Sequence, residues 1–287
     1  MTPGDRLREM LAAESLIVAP GVFDGVSAHL VRRMGFAAAY LTGAGVAASG
    51  FGLPDIGLVT GTEMAERAAM VTAALGDVPL IADADTGYGA PLNVVRTVKT
   101  YERAGVAAIQ LEDQKFPKRC GHLPDKELVS PETFLAALGA ALEARTDALI
   151  VARTDARGPL GIDEAIKRAN IYAGAGADVL FVEAPHSAEE IERIAKEVRA
   201  PLLINNVAGG RTPELSDDHL RALGYRISIH PGNPLVAAAF SMVDALGKLG
   251  GNLPEPTRPN PTPTGPAALF DLVGLREWSA VGERWKV

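Results

Sequence analysis

MGFAAAYLT (34–42), AGVAAIQLE (104–112) and AGADVLFVE (175–183) are three versions of one unit. Each carries a glycine, Gly35, Gly105 or Gly176, where a helical stretch ends. Each then runs through apolar residues to a polar one seven positions beyond the glycine: Thr42, Glu112 or Glu183. A glycine just past a helix takes the left-handed conformation that turns the chain back into a strand. The unit therefore sets those three polar residues at the C-terminal ends of strands.

Working outward, eight short apolar runs follow the same logic: Leu16–Ala19, Ala37–Leu41, Leu80–Ala82, Ala107–Leu111, Ala148–Ala152, Val179–Val182, Leu202–Ile204 and Ile227–Ile229. Helical patterns over Thr62–Leu75, Pro91–Ala104, Ser130–Arg145, Asp163–Ala173 and Ala188–Val198 lie between them. Strands apolar on both faces, alternating with helices, imply a parallel sheet covered by helices. Eight such units predict an α/β (β/α)8 TIM barrel over residues 1–250, with a doubly wound open sheet as the alternative. A proline-rich arm follows over 251–266. Residues 267–287 are expected to form an amphipathic helix, whose apolar face includes Leu269, Phe270, Leu272, Trp278, Val281 and Trp285. That helix would dock on a neighbouring subunit or fold back on its own barrel.

Composition excludes several classes. With 287 residues, 47% of them hydrophobic, the chain buries a large core, and 30 glycines with 20 prolines do not suit a coiled coil. A net charge of −7 without a dense basic run argues against nucleic acid. The N-terminus lacks the apolar segment of a signal peptide. Met34 to Pro54 carries no charge but is rich in glycine, so it reads as a strand and a loop rather than a membrane span. A single cysteine, Cys120, rules out a disulfide framework and points to the cytoplasm.

Three segments carry chemistry. In IADADTGYG (81–89), Asp83 and Asp85 end a strand, and Glu112 and Asp113 end the next. Carboxylates converging there without a Lys or Arg neighbour would need a divalent ion, and oxygen ligands favour Mg²⁺ or Mn²⁺ over zinc. In KFPKRCGH (115–122), Cys120 follows Lys118 and Arg119, whose charge is expected to lower the thiol pKa. In VARTDA (151–156), Arg153 ends a strand and is placed to grip a substrate carboxylate with two hydrogen bonds, with Asp155 orienting it. Glu183 and Asn205 end the next two strands. His230 ends the last strand and is a candidate pocket residue, whereas His29, His186 and His219 are scattered. TGAGVAASG lacks both the GxGxxG spacing and an immediate helix, which argues against a nucleotide.

These motifs, with PGVFD (20–24), YLTGAGVAASGFGLPD (40–55), LEDQ (111–114), VEAP (182–185) and GGRTP (209–213), resemble the isocitrate lyase and phosphoenolpyruvate mutase superfamily. The resemblance is greatest to its small lyases of the 2-methylisocitrate, dimethylmalate and petal death protein branch. It implies that Asp83, Asp85 and Glu112 hold Mg²⁺ largely through water and that Asp55 closes over the metal. It also implies that Tyr40, Thr42, Gly43 and Ala44 cradle a substrate carboxylate, with Thr42 where serine is usual, and that Arg153, Glu183 and Asn205 bind the same substrate. Cys120 would protonate the departing fragment, with Arg119 and His122 positioning its loop. Tyr40 and Glu112 are both open as the base. A homotetramer with helix exchange is implied too. Ala208 stands where the family is usually acidic, which bears on pocket charge and substrate identity. The rival readings are an oxaloacetate decarboxylase or phosphonate enzyme on the same scaffold, and a metabolite-binding protein.

Overall fold

All three glycines of the repeated unit adopt positive φ, +79° at Gly35, +82° at Gly105 and +102° at Gly176. At each, the glycine N–H returns to the carbonyl three residues back, and the next N–H reaches the carbonyl five back, as from Val106 to Tyr101. This paired closure satisfies the last helical carbonyls and redirects the chain into a strand.

In a computed structural model of the chain, residues 1–13, 15–123, 125–207, 209–249 and 266–285 are described. Eight parallel strands form a closed barrel in sequence order, which settles the choice against an open sheet. They are β1 Ile17–Val22, β2 Ala39–Leu41, β3 Leu80–Asp83, β4 Ala108–Glu112, β5 Leu149–Thr154, β6 Val179–Val182, β7 Leu202–Asn205 and β8 Tyr225–His230. The helices in chain order are α1 Pro3–Ala12, α2 Gly25–Arg33, α3 Gly43–Val46, α4 Gly61–Leu75, α5 Pro91–Arg103, α6 Pro131–Ala144, α7 Arg157–Leu160, α8 Ile162–Gly174, α9 Ala188–Glu197, α10 Asp217–Ala222, α11 Asn233–Leu249, α12 Pro266–Leu272 and α13 Leu275–Arg284.

Period-2 alternation divides each strand between two cores. Ile81, Val151, Phe181, Leu203 and Ile227 fill the barrel, while Leu80, Ile150, Leu180 and Leu202 pack beneath the outer helices. Leu7 of α1 also enters the interior cluster. Two residues further along the same inward rows stand Asp83, Arg153, Glu183 and Asn205, and Glu112 pairs in register with Arg153. The barrel interior thus changes from apolar to charged toward the strand C-termini.

Two expectations need correction. The stretch after β2 is helical, because the Thr42 hydroxyl accepts the Gly45 N–H and caps α3 at once. A wider π-helical turn over Ala47–Phe51 follows. The C-terminal helix is broken in two, with Gly274 at φ +78° between α12 and α13. The proline-rich arm lies outside the described residues, apart from Pro266, which opens α12, and so does Ala208.

Glu102, at the end of α5, ties that helix to the entry of β5 by accepting the backbone N–H groups of Thr146, Asp147 and Ala148. Burial opposes its charge, but these bonds prevail and hold the carboxyl below its usual range. Such a group stabilises the fold above its unfolded pKa, and that contribution is lost as pH falls through the depressed folded value. Glu102→Gln is therefore expected to cost about 1–2 kcal/mol in urea unfolding at pH 7. The deficit should shrink below about pH 4.3 and vanish once the wild-type carboxyl is protonated.

Candidate active site

A cavity of about 380 Å³ opens over the strand C-termini. Tyr40, Thr42, Ala44, Asp55, Asp83, Cys120, His122, Arg153, Glu183 and Asn205 line it. Gly43, Asp85, Glu112 and Arg119 do not. Gly43 lies behind Asp83, whose Oδ2 would sit 2.7 Å from any added Cβ. Glu112 is buried behind Arg153, 3.3 Å away. Arg119 acts through its main chain, where its N–H donates to Gln114 and its carbonyl accepts from the same amide.

Asp83 Oδ1 accepts the Asp85 N–H at 3.1 Å and the Gln110 amide at 3.4 Å, and Gln110 in turn accepts the Tyr40 hydroxyl. Burial, with Asp83 next, pushes the Tyr40 phenol well above its usual pKa. Asp85 sits in the left-handed region at φ +47°, a strained conformation for a residue with a side chain.

The carboxylates do have cationic neighbours, contrary to the sequence reading. The Lys118 ammonium, buried, lies 2.5 Å from Asp55 and 2.8 Å from Asp85. Burial works against its charge, yet the two carboxylates outweigh it and raise its pKa. Burial pushes Asp85 up to about 7 even with Lys118 beside it. Arg153 spends its Nε–Nη2 edge on Asp155, at 2.8 and 3.0 Å, so the edge expected for a substrate is already engaged. Its guanidinium also stacks 5.2 Å from the centre of the Phe181 ring.

The cation deficit remains visible. Asp85 Oδ1 has an ammonium nearby but no hydrogen bond, and Glu112 Oε1 and Glu183 Oε2 are likewise buried without partners. Among the described residues, no three Asp, Glu, His or Cys side chains converge closely enough to chelate an ion directly. An all-oxygen set with unpartnered oxygens fits a hard cation held through its own waters.

Cys120 sits under the loop that closes this face, its N–H donating to the Asp55 carbonyl at 3.1 Å. The thiol is not activated. Burial, then Asp55, pushes it up to about 12, and the nearby Lys118 ammonium offsets only part of that rise. The next residue, Gly121, packs so tightly that an added Cβ would lie 2.2 Å from Glu183 Oε1. His122 Nδ1 accepts the Arg211 N–H, which leaves Nε2 facing Glu183 at 3.3 Å. Burial lowers its pKa.

His230 does not reach the cavity and bonds Ser228 instead. Neither His29, His186 nor His219 lines it. Sequence reasoning missed Lys118 as a carboxylate partner, although it lies within the PKRCGH motif. It also missed an apolar wall built by Val207, Pro231, Leu235, Val236, Leu269 and Phe270. Leu269 and Phe270 fold back on their own barrel, both buried, while Trp278, Val281 and Trp285 stay exposed.

The phosphoenolpyruvate phosphomutase family model matches residues 7–249. The 2,3-dimethylmalate lyase of Eubacterium barkeri is 48% identical, over 85% of this chain and 85% of its own. The 2-methylisocitrate lyase of Aeropyrum pernix is 50% identical, over 80% and 74%. The structure of an oxaloacetate acetylhydrolase with 3,3-difluorooxalacetate superposes with a TM-score of 0.85 at 36% identity, covering 99% of this chain and 97% of that one.

A buried thiol with a pKa of about 12 is almost wholly protonated at pH 8. Iodoacetamide is expected to alkylate native Cys120 at least about a hundredfold more slowly than free cysteine, and at the free rate in urea. Native labelling at the free rate would contradict the geometry.

Proposed function

The chain belongs to the phosphoenolpyruvate mutase and isocitrate lyase superfamily, as an enzyme of its lyase side, and from that footing we propose that it cleaves the C2–C3 bond of a 2-hydroxy dicarboxylate. The products are a 2-oxo acid, pyruvate or glyoxylate, and a carboxylic acid, with Mg²⁺ as cofactor and Mn²⁺ as its substitute. One observation carries the reading: buried carboxylate oxygens without hydrogen-bond partners at the strand ends, Glu183 Oε2 among them on the cavity that Asp83 and Cys120 also line.

Asp83, Asp85 and Glu112 would hold the divalent ion, largely through its waters, and when bound it would supply positive charge that stabilises a developing oxyanion. The main chain at Thr42, Gly43 and Ala44, at the capped start of α3, receives the substrate carboxylate. Arg153, fixed by Asp155, offers its remaining donors to the same substrate, and Asn205 and Glu183 orient it. The hydroxyl proton leaves to a carboxylate at the strand ends, the C2–O bond becomes a carbonyl, and the C2–C3 electron pair moves onto C3. Cys120 then delivers its proton to that carbon. A thiol held protonated suits an acid toward a strongly basic carbon, and the hydroxyl proton restores it, so atoms balance without a further reactant.

The apolar wall supports an alkyl-substituted malate over a tricarboxylate. Among the described lining residues the Lys and Arg cations are Lys118 and Arg153, both already paired. A third carboxylate against Leu235, Val236, Leu269 and Phe270 would lose its water without gaining a counter-charge.

We also infer a homo-oligomer, in keeping with the tetramer the family resemblance implies, in which the exposed face of α11 packs against a neighbouring subunit. Of its 17 residues only Leu235 is buried, and Met242, Leu246 and Leu249 stand 56%, 66% and 81% exposed. On α2, which packs against β1 as α11 does, Val26 and Leu30 are exposed as well. With no helix of the described residues long and apolar enough to cross a membrane, a second copy is the natural cover for these faces. A cytoplasmic site of action fits the single cysteine.

Release of 2-oxo acid is the test, with 3-alkylmalates, with and without a 2-methyl group, compared against 2-methylisocitrate, oxaloacetate and phosphonopyruvate. An alkylmalate should be cleaved best, EDTA should abolish release, and Cys120→Ser should lower it about a hundredfold or more. Turnover of oxaloacetate alone, indifferent to Cys120, would refute the reading. Light scattering on the same preparation should give a multiple of the chain mass, and a monomer would refute the assembly.

A further inference from the structure

Lys126 lies outside the cavity and outside every step above, yet its side chain is 4% exposed. Its ammonium donates to the Gly121 carbonyl at 2.5 Å and to Asp155 Oδ1 at 2.8 Å. An isolated ammonium is costly to bury, so this one persists through those two acceptors. They belong to two different parts of the site. Gly121 is the residue after the proposed proton donor, on the loop over the cavity. Asp155 follows β5 and is the carboxylate on which Arg153 is spread.

Asp155 is held from behind as well. Its N–H donates to Asp113, which also accepts from Thr154, Arg168 and Tyr172. This buried network belongs to the barrel rather than to the loop. Near Cys120 the loop is also tied to the barrel face by Lys118 to Asp55 and Asp85, by the Cys120 N–H to Asp55, and by His122 to Glu183, Asn205 and the Arg211 N–H. Lys126 is the tie that joins the main chain beside the thiol to the anchor of the substrate-facing guanidinium.

We propose that Lys126 is a positioning residue that latches the Cys120 loop onto the Asp155–Arg153 pair, so that the thiol and the guanidinium hold one fixed separation. Its role in turnover rests on the lyase reading, but the latch itself does not. Because Arg153 keeps Asp155 and Asp155 keeps Asp113 without the lysine, loss of the latch loosens the loop at Gly121, beside the thiol, and leaves the guanidinium in place. The effect therefore falls on proton delivery more than on substrate binding.

The single cysteine gives a direct readout. In native protein, Lys126→Met should raise the iodoacetamide rate at Cys120 at least tenfold, and Lys126→Arg, which keeps the charge and its donors, should stay within about threefold of wild type. In turnover, Lys126→Met should lower kcat at least tenfold with KM changed less than threefold. Should the methionine variant fail to fold, Lys126→Gln is read in its place with the same expectation. Wild-type alkylation and kcat in a folded Met or Gln variant, with only a lower thermal midpoint, would overturn the latch. Equal acceleration in the Arg variant would overturn it too. Absence of 2-oxo acid release from the wild type would sink the lyase reading while the alkylation rates still decide the latch.

Discussion

Buried negative charge at one end of the barrel is the constraint from which the rest follows. Asp55, Asp83, Asp85, Glu112, Asp155 and Glu183 crowd a space in which Lys118, Lys126 and Arg153 are the cations; Lys118 serves two carboxylates, Arg153 three, and Lys126 shares Asp155 with Arg153. In so dry a setting, like charges raise one another's pKa and unpaired ones are costly. Two of the three cations arrive on the 115–129 loop, so neutralising the strand ends and closing the cavity are one event. The oxygens left without partners are what a divalent ion would satisfy.

The barrel makes this arrangement affordable by segregating it. Along the inward rows, the lower layers are wholly apolar and α1 supplies Leu7 to the same cluster. Charge appears only at the last inward position of β3, β4 and β5 and just past β6, with the neutral amide of Asn205 at that level on β7. The strained Asp85 and the tightly packed Gly121 sit at that end, where surrounding structure over-determines them. The same segregation leaves the opposite wall of the cavity to α11 and α12, which contribute apolar side chains and no charge there.

Much of this was legible from local pattern. Thr42, Glu112 and Glu183 were placed at strand ends by the repeated glycine unit, and the paired carboxylates of 83–89 by their strand and turn. These signals are short-range, set by strand period and backbone conformation. What local pattern could not give is partnership across the fold. Lys118 reaches Asp55 from 63 residues away, and burial together with that same Asp55 outweighs the lowering that Lys118 exerts on the Cys120 thiol two residues on. Arg153 was placed correctly, but its committed edge depends on Asp155 being buried beside it. The capped helix after Thr42 was hidden by a run of small residues with weak propensity, and the break at Gly274 by the apolar periodicity on either side. The apolar wall joins segments from β7 to α12, which no local window spans.

The central claim is that the strand-end carboxylates form a divalent-cation site. Titration calorimetry of Mg²⁺ into the EDTA-stripped protein addresses it without any assumption about substrate. One ion per chain is predicted, with binding lost or weakened at least tenfold by Asp83→Asn and by Asp85→Asn in variants that keep the wild-type thermal midpoint. Mg²⁺ binding that neither substitution changes, or no binding at millimolar ion, would contradict the account.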